Sequence, residues 1–301
     1  MLVDRRRFLA LCGTAALGAA IDGGRLLAEG SSAMRGLRRG VGLFRGRGGT
    51  IGWLASSDGV VVVDSQFPDM ARILLDALRG RSPRVPDLLI NTHHHADHTS
   101  GNGVFAASGI PILAQTRVPT LQQKAAARKG SGEKPVVADR TFEASWKGSF
   151  GDETIHVFHH QPAHTGSDAI AHFEQANVAH MGDLVFNRYF PFIDRGSGAS
   201  VRGWIATLER ALEHFDEETL FVFGHGTKAA GISGTLADLR LQRDYLSAVL
   251  EAAHGALAAG VAREDLDAAP IGSRFPDHQS PDSRFSPAAN LAAAWDELSE
   301  E

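Results

Sequence analysis

Cysteine is nearly missing: the 301-residue chain holds one, Cys12. It falls inside a segment that reads as a leader, so the rest of the chain carries no thiol. That excludes disulfides, a cysteine metal ligand and a cysteine nucleophile there, and leaves imidazole and carboxylate to build any site. An excess of basic charge is missing too. Lys and Arg number 30 against 35 Asp and Glu, a net charge of −5, and residues 1–30 hold one net positive charge, which leaves −6 for the remainder. Such a chain is a poor partner for nucleic acid or any other polyanion. Long apolar runs are absent as well. Phe8–Ala20 covers 13 residues, where a membrane-spanning helix needs about 20, so no stable anchor is expected once the leader is removed. No repeat of 20–50 residues and no low-complexity linker divides the chain.

The leader itself is informative. Asp4-Arg5-Arg6-Arg7-Phe8-Leu9 sets paired arginines before Phe-Leu and a short apolar stretch, and resembles a bacterial twin-arginine export signal. Residues 1–29 are read as signal peptide and short linker, with cleavage near Ala19 or Ala20 and a periplasmic or secreted product. Leu11 before Cys12 argues against a lipoprotein cleavage box.

What the chain does have is histidine, 14 in all. The stretch Asn91–Asn102 reads Asn-Thr-His-His-His-Ala-Asp-His-Thr-Ser-Gly-Asn and follows the apolar Leu88-Leu89-Ile90. His93, His95, Asp97 and His98 form H-x-H-x-D-H, four ligand-type residues within six positions. Packing does not explain such a cluster. On a loop at the end of a strand, His93 and His95 can address one metal while Asp97 and His98 turn to a second. His94 fits no position in the pattern and is read as facing away.

H-x-H-x-D-H after a strand resembles the signature of the metallo-β-lactamase superfamily. The resemblance implies three further ligands in order, and the chain supplies candidates: His164 in Pro-Ala-His-Thr-Gly-Ser-Asp, Asp183 in Met-Gly-Asp-Leu-Val, and His225 in Phe-Gly-His-Gly. It covers about Gly48 to Gly226. It implies an α/β fold, the four-layer αβ/βα sandwich, with metals at one edge of two sheets. One metal takes His93, His95 and His164, the other takes Asp97, His98 and His225, and Asp183 bridges. The cofactor implied is two Zn2+ per chain, although iron or manganese also accepts His and carboxylate ligands. A metal-bridging hydroxide would be the nucleophile, and Asp97 the proton carrier. Asp64 either supports the ligand loop, as in the family, or simply ends its strand in a turn. An aspartate at the bridge differs from the β-lactamases with a thiolate ligand and is similar to hydroxyacylglutathione hydrolases and lactonases.

The remaining pattern fits alternating strands and helices. Strands are expected at Gly59–Asp64, Asp87–Asn91, Pro111–Gln115, Ala169–Phe173, Val178–Met181 and Leu220–Phe223, with a hairpin over Phe142–Phe158 turning at Gly151-Asp152. Helices are expected at Met70–Leu78, Val118–Lys129, Val201–Phe215 and Leu236–Ala259. Residues 30–262 form the expected catalytic domain. Residues 263–301 read as a surface-draped tail ending in a small helix at Ala288–Leu298. His159 and His160 orient His164 or end a strand in solvent, and His180 is read as pointing away from the metals.

The functional expectation is a zinc-dependent hydrolase of a small-molecule acyl substrate: an ester, lactone, thioester or amide. The alternatives are an iron- or manganese-dependent oxygen-handling enzyme and a non-catalytic metal-binding accessory protein. Asn187–Ser200, with Arg188, Tyr189, Phe190, Phe192 and Ile193, is either a loop over the metals, with Arg188 or Arg195 anchoring an anion, or an ordinary surface loop. The oligomeric state stays open.

Overall fold

The computed structural model describes residues 33–300 apart from 131 and 133, so the expected leader at 1–29 lies outside the described residues. Strands β1 (Met34–Arg38), β2 (Val41–Phe44), β3 (Ile51–Ala55) and β4 (Val60–Val63) form an antiparallel meander. From β4 the sheet turns parallel through β5 (Leu88–Asn91), β6 (Ile112–Gln115) and β7 (Arg140–Phe142). Parallel neighbours need crossover connections. Helices α1 (Pro68–Arg79), α2 (Ala96–Thr99), α3 (Asn102–Ala106) and α4 (Val118–Lys129) lie in those connections.

The second sheet uses β8 (Ser145–Phe150), β9 (Glu153–Phe158), β10 (Ile170–Phe173), β11 (Val178–His180), β13 (Leu220–Val222) and β15 (Ser233–Gly234), in the order β15-β13-β11-β10-β9-β8. A two-residue parallel ribbon pairs β12 (Phe186–Asn187) with β14 (His225–Gly226). Helices α5 (Val201–His214), α6 (Leu236–Ala258), α7 (Ala269–Arg274) and α8 (Pro287–Ser299) complete the chain.

Side-chain alternation shows why the sheets stack. Val61, Val63, Leu88 and Ile90 face Ile155, Val157, Phe173 and Val222 of the second sheet in one cluster. Their neighbours Val60, Val62 and Leu89 turn the other way, onto Leu74 and Leu78 of α1. Likewise Ile170, Ala179 and Phe221 meet Trp204 of α5, Leu246 of α6 and Leu291 of α8. Both faces of both sheets are therefore covered, and the order of layers is helix, sheet, sheet, helix. A strand buried on both faces reads as an unbroken apolar run rather than an alternating one. Val60–Val63 is such a run, fully buried, and each of its side chains contributes roughly 1.5–3 kcal/mol of burial.

The four-layer expectation agrees with this architecture, and three departures have physical causes. Residues 34–55 form β1–β3, which gave no element signal because glycines and arginines interrupt the alternation that marks a strand. The second half of the first motif, with Asp97 and His98, lies on α2 rather than on an open loop. The expected surface-draped tail is not loose: α7 and α8 pack on α6, with Leu291 and Ala294 buried. Among the described residues, no helix is long and apolar enough to cross a membrane.

Candidate metal centre

Strand ends of both sheets meet at one edge. His93 and His95 leave β5, and Asp97 and His98 sit on α2, where the His95 carbonyl accepts the backbone N–H groups of His98 and Thr99 at 3.1 Å. His164 lies between β9 and β10, Asp183 in a 3-10 turn after β11, and His225 on β14. These residues converge. His95 Nδ1 is 3.1 Å from His93 Nε2 and 3.0 Å from His164 Nε2. His225 Nε2 is 3.1 Å from Asp97 Oδ2 and 3.4 Å from His98 Nε2. Asp183 stands between the two triads: Oδ2 is 3.5 Å from His164 Nε2 and 3.4 Å from His225 Nε2, and Oδ1 is 3.1 Å from His98 Nε2. Tetrahedral ligands at 2.0–2.1 Å from zinc lie about 3.3 Å apart, so the spacing suits two ions sharing one carboxylate.

The outer ring nitrogens decide which way the lone pairs point. His164 Nδ1 donates to the Phe192 carbonyl at 2.7 Å, and His95 Nε2 to Asp194 Oδ2 at 3.0 Å. His98 Nδ1 donates to Asp64 Oδ2 at 2.8 Å. His93 Nδ1 lies 3.0 Å from Thr92 Oγ1, whose own proton goes to Asp64, so the ring is the donor there. With the outer nitrogen of each ring tied to an acceptor, four imidazoles turn their other nitrogens inward, as metal-binding histidines do. His225 is held differently, by stacking on Phe186 with the rings 5.4 Å apart and 10° from parallel. Asp183 Oδ1 is buried and, although His98 Nε2 lies 3.1 Å away, no donor meets it in hydrogen-bond geometry, an arrangement that costs free energy unless a cation completes it. Gly224 makes room for it, since a methyl group there would overlap that oxygen.

Electrostatics agree with this donor set. Burial, and then the neighbouring His98, push the His93 imidazole well below its usual range, and burial with His95 takes His164 down to about 3. Both rings are neutral, the form in which imidazole can bind a metal. Burial works to raise Asp183, but His225 and His98 outweigh it and keep the carboxylate ionised. Burial also opposes charge on His98 and His225, yet Asp183 and Asp97 push His98 well above its usual range and His225 up to about 9, so these two rings, unlike His93 and His164, favour the protonated form beside the carboxylates. Negative charge thus gathers on the side of the second triad, where a cation is most needed.

All seven expected ligand residues come together, joined by supporting groups of which the sequence marked Asp64 and His159 but not Asp194. Asp194 orients His95, although it lies 99 positions away. Asp64 adopts φ 67° and accepts from Thr92 N, Thr92 Oγ1 and His98 Nδ1, each at 2.8 Å, which is the supporting role rather than the plain turn. His180 offers no ligand; its Nε2 donates to the Thr50 carbonyl and its Nδ1 accepts from Gly182 N. His159 donates to the Asp168 carbonyl in the turn that carries His164. His94 corrects its expectation: it lines the cleft, its Nε2 3.7 Å from Asp194 Oδ2.

The cleft above the ligands has a volume of about 690 Å3. Loop 187–200 reaches it through Phe192, whose ring is 5.8 Å from that of His95, but its arginines do not. Arg188 is paired with Asp238 at 3.1 Å, and Arg195 with Glu300 at 2.7 Å and the Ala199 carbonyl. Phe190 is also turned inward, against Tyr245 and His278. The cations that line the cleft are Lys129, Lys134 and Arg284.

A family model described as the metallo-beta-lactamase superfamily matches residues 45–225, a span that holds all seven ligand-type residues and ends on His225. Among solved structures, the stereoselective inverting sec-alkylsulfatase Pisa1 from Pseudomonas sp. matches with TM-score 0.65 at 15% identity, covering 90% of this chain and 51% of its own. A metallo-beta-lactamase from Pontibacter korlensis matches with TM-score 0.58 at 16% identity, over 71% of this chain and 98% of its own. The DIM-1 metallo-beta-lactamase gives 0.57, 18%, 71% and 96%. This chain spans about half the length of the alkylsulfatase, and at these identities the likeness is one of fold. No curated protein sequence matches it.

Proposed function

The chain belongs to the metallo-β-lactamase superfamily, and from that premise we propose a dinuclear zinc-dependent hydrolase acting on a small acyl substrate, an ester, lactone, thioester or amide. The observation that carries this reading is Asp183, a buried, ionised carboxylate set between two inward-facing triads with one oxygen lacking a donor. His93, His95 and His164 would hold one ion, Asp97, His98 and His225 the other. When bound, such ions supply a nucleophilic water at neutral pH, its pKa lowered from about 15.7 toward 7, and Lewis-acid polarisation of the substrate.

The protein's own residues do the rest. Asp97 presents Oδ2 to His225, while its Oδ1 takes no hydrogen bond among the described residues and its side chain remains about a third exposed at the cleft. That oxygen is placed to carry a proton to the leaving group. Phe186, Phe192 and Phe285 line one part of the cleft with aromatic surface, which excludes water from the reacting centre and accepts an apolar acyl chain. A sulfate ester is the second reading, favoured by the wide coverage of the sec-alkylsulfatase. Export by the twin-arginine route belongs to the same proposal; changing Arg5 and Arg6 together to lysine should retain the protein in the cytoplasm, and undiminished export would reject the route.

Elemental analysis of the purified protein is expected to give two zinc ions per chain, and iron with visible absorbance would favour oxygen chemistry instead. The loaded protein should hydrolyse acyl substrates in a panel of lactone, thioester, β-lactam, alkyl sulfate and phosphodiester. Asp183→Ala should lower both metal content and turnover. Loaded protein inert to the whole panel would overturn the hydrolase reading.

A further inference from the structure

Arg284 belongs to none of the motifs that mark the metal centre, yet it stands in the same cleft. It arrives from the segment between α7 and α8, and one aromatic ring separates it from the ligands. Its guanidinium carbon is 5.9 Å from the centre of the Phe192 ring and 5.7 Å from that of Phe285. The Phe192 ring in turn lies 5.8 Å from His95 and 6.1 Å from His164. Two further cations, Lys129 and Lys134, line the same cleft, and among the described residues no carboxylate pairs with either. The cleft lining thus sets three cations away from the ligand residues against the two carboxylates Asp97 and Asp183 among them.

Arg284 is held but not used up. Asp282 accepts from its Nε at 3.1 Å, its Nη2 at 2.8 Å and its backbone N–H at 2.9 Å. Nη1 has no partner among the described residues. The pair is exposed, 67% for Arg284 and 42% for Asp282, so the bridge itself adds little stability. Asp282 occupies the Nε–Nη2 edge of the guanidinium and leaves the Nη1–Nη2 edge, a two-pronged donor of the kind that carboxylates fit, facing no acceptor among the described residues.

We propose that Arg284 is a specificity-determining residue that anchors a carboxylate at the far end of the acyl chain, with Phe192 and Phe285 covering the methylenes between that anion and the scissile carbonyl. This rests on the acyl-hydrolase reading for its chemistry, but anion binding at Arg284 stands independently of it. The anchor replaces Arg188 and Arg195, which are committed to Asp238 and Glu300.

The test compares two esters with one leaving group, 4-nitrophenyl butyrate and mono-4-nitrophenyl glutarate, on the metal-loaded protein. The wild type is expected to prefer the glutarate, and Arg284→Gln to lower the ratio of kcat/KM values, glutarate over butyrate, by about tenfold or more. Arg284→Lys should restore part of the ratio. Asp282→Asn, which removes the competing carboxylate, should keep or raise it. A ratio that is equal in wild type and Arg284→Gln overturns the proposal; so does a fall of the same size in Asp282→Asn, which would mean that the pair only braces its segment. If neither ester is hydrolysed, calorimetric binding of the same two compounds decides. Tighter glutarate binding that Arg284→Gln abolishes keeps the anchor and removes the acyl-hydrolase reading, whereas equal binding in both proteins removes the anchor.

Discussion

At the scale of single residues, Asp64 shows how a supporting group is made. Its φ of 67° is a left-handed conformation that costs a non-glycine residue about 1–3 kcal/mol. The gain is a carboxylate turned back to hold Thr92 and His98 together. Asn tolerates the same backbone but carries no charge, so Asp64→Asn should weaken metal retention about 10–100-fold with the fold preserved. Competition with a chelator measures it, and undiminished affinity would remove Asp64 from the supporting set. Gly224→Ala should have a related effect for a steric reason, since the new methyl takes the space of Asp183 Oδ1; metal content per folded chain is the readout. Residues of this kind differ in how far the sequence discloses them. His93, His95, Asp97 and His98 are legible because four ligand types within six positions have no other use. Asp194 and the Phe192 carbonyl are illegible because they meet His95 and His164 only after the chain has crossed to the second sheet.

Among elements, α8 has the widest reach. Its Glu297 accepts from Val201 N at 2.6 Å and Ser200 Oγ at 2.7 Å, so the N-terminus of α5 receives a negative charge from the far end of the chain. Glu297→Ala should cost about 1–3 kcal/mol, seen as a lower Tm with metal content retained; an unchanged Tm would count against the cap. The segment before α8 carries a pH dependence. Burial, with Arg188 nearby, pushes His278 down to about 4, where it stacks on Tyr245. Its neutral form is the one that packs, so its contribution is complete above the unfolded pKa of about 6.5 and is lost as pH falls toward 4. Allowing for partial exposure, that is about 1–2 kcal/mol. His278→Phe should flatten the acid side of the Tm profile, and an unaltered profile would rule the residue out. The sequence shows α8 as a short helix but not what it covers, because the partners Ser200 and Tyr245 lie far back along the chain. It hides β1–β3 for a local reason: Gly36, Gly40 and Gly42 among arginines break the alternation that marks a strand.

For the whole molecule, the boundary drawn at 262 meets a packed interface. Leu291 and Ala294 belong to the cluster that covers the second sheet, and Phe285 lines the cleft. A chain ending at 262 should therefore unfold at lower temperature or aggregate; a soluble fragment with the full-length Tm would show the later segment to be dispensable. The layer order was legible through the resemblance of its ligand motifs, since strands buried on both faces reveal that they are covered and not by what. The last consequence follows from where the ligands originate. His93, His95, Asp97 and His98 follow a strand of the first sheet, and His164, Asp183 and His225 follow strands of the second, so an ion held by both sets would be a rivet across the seam between them. Binding free energy and docking free energy are then one quantity. At a free metal concentration 100 times Kd the native state should gain about 2.7 kcal/mol per independent site, and the melting temperature becomes a gauge of available metal: in metal-poor surroundings the chain should open first along this seam.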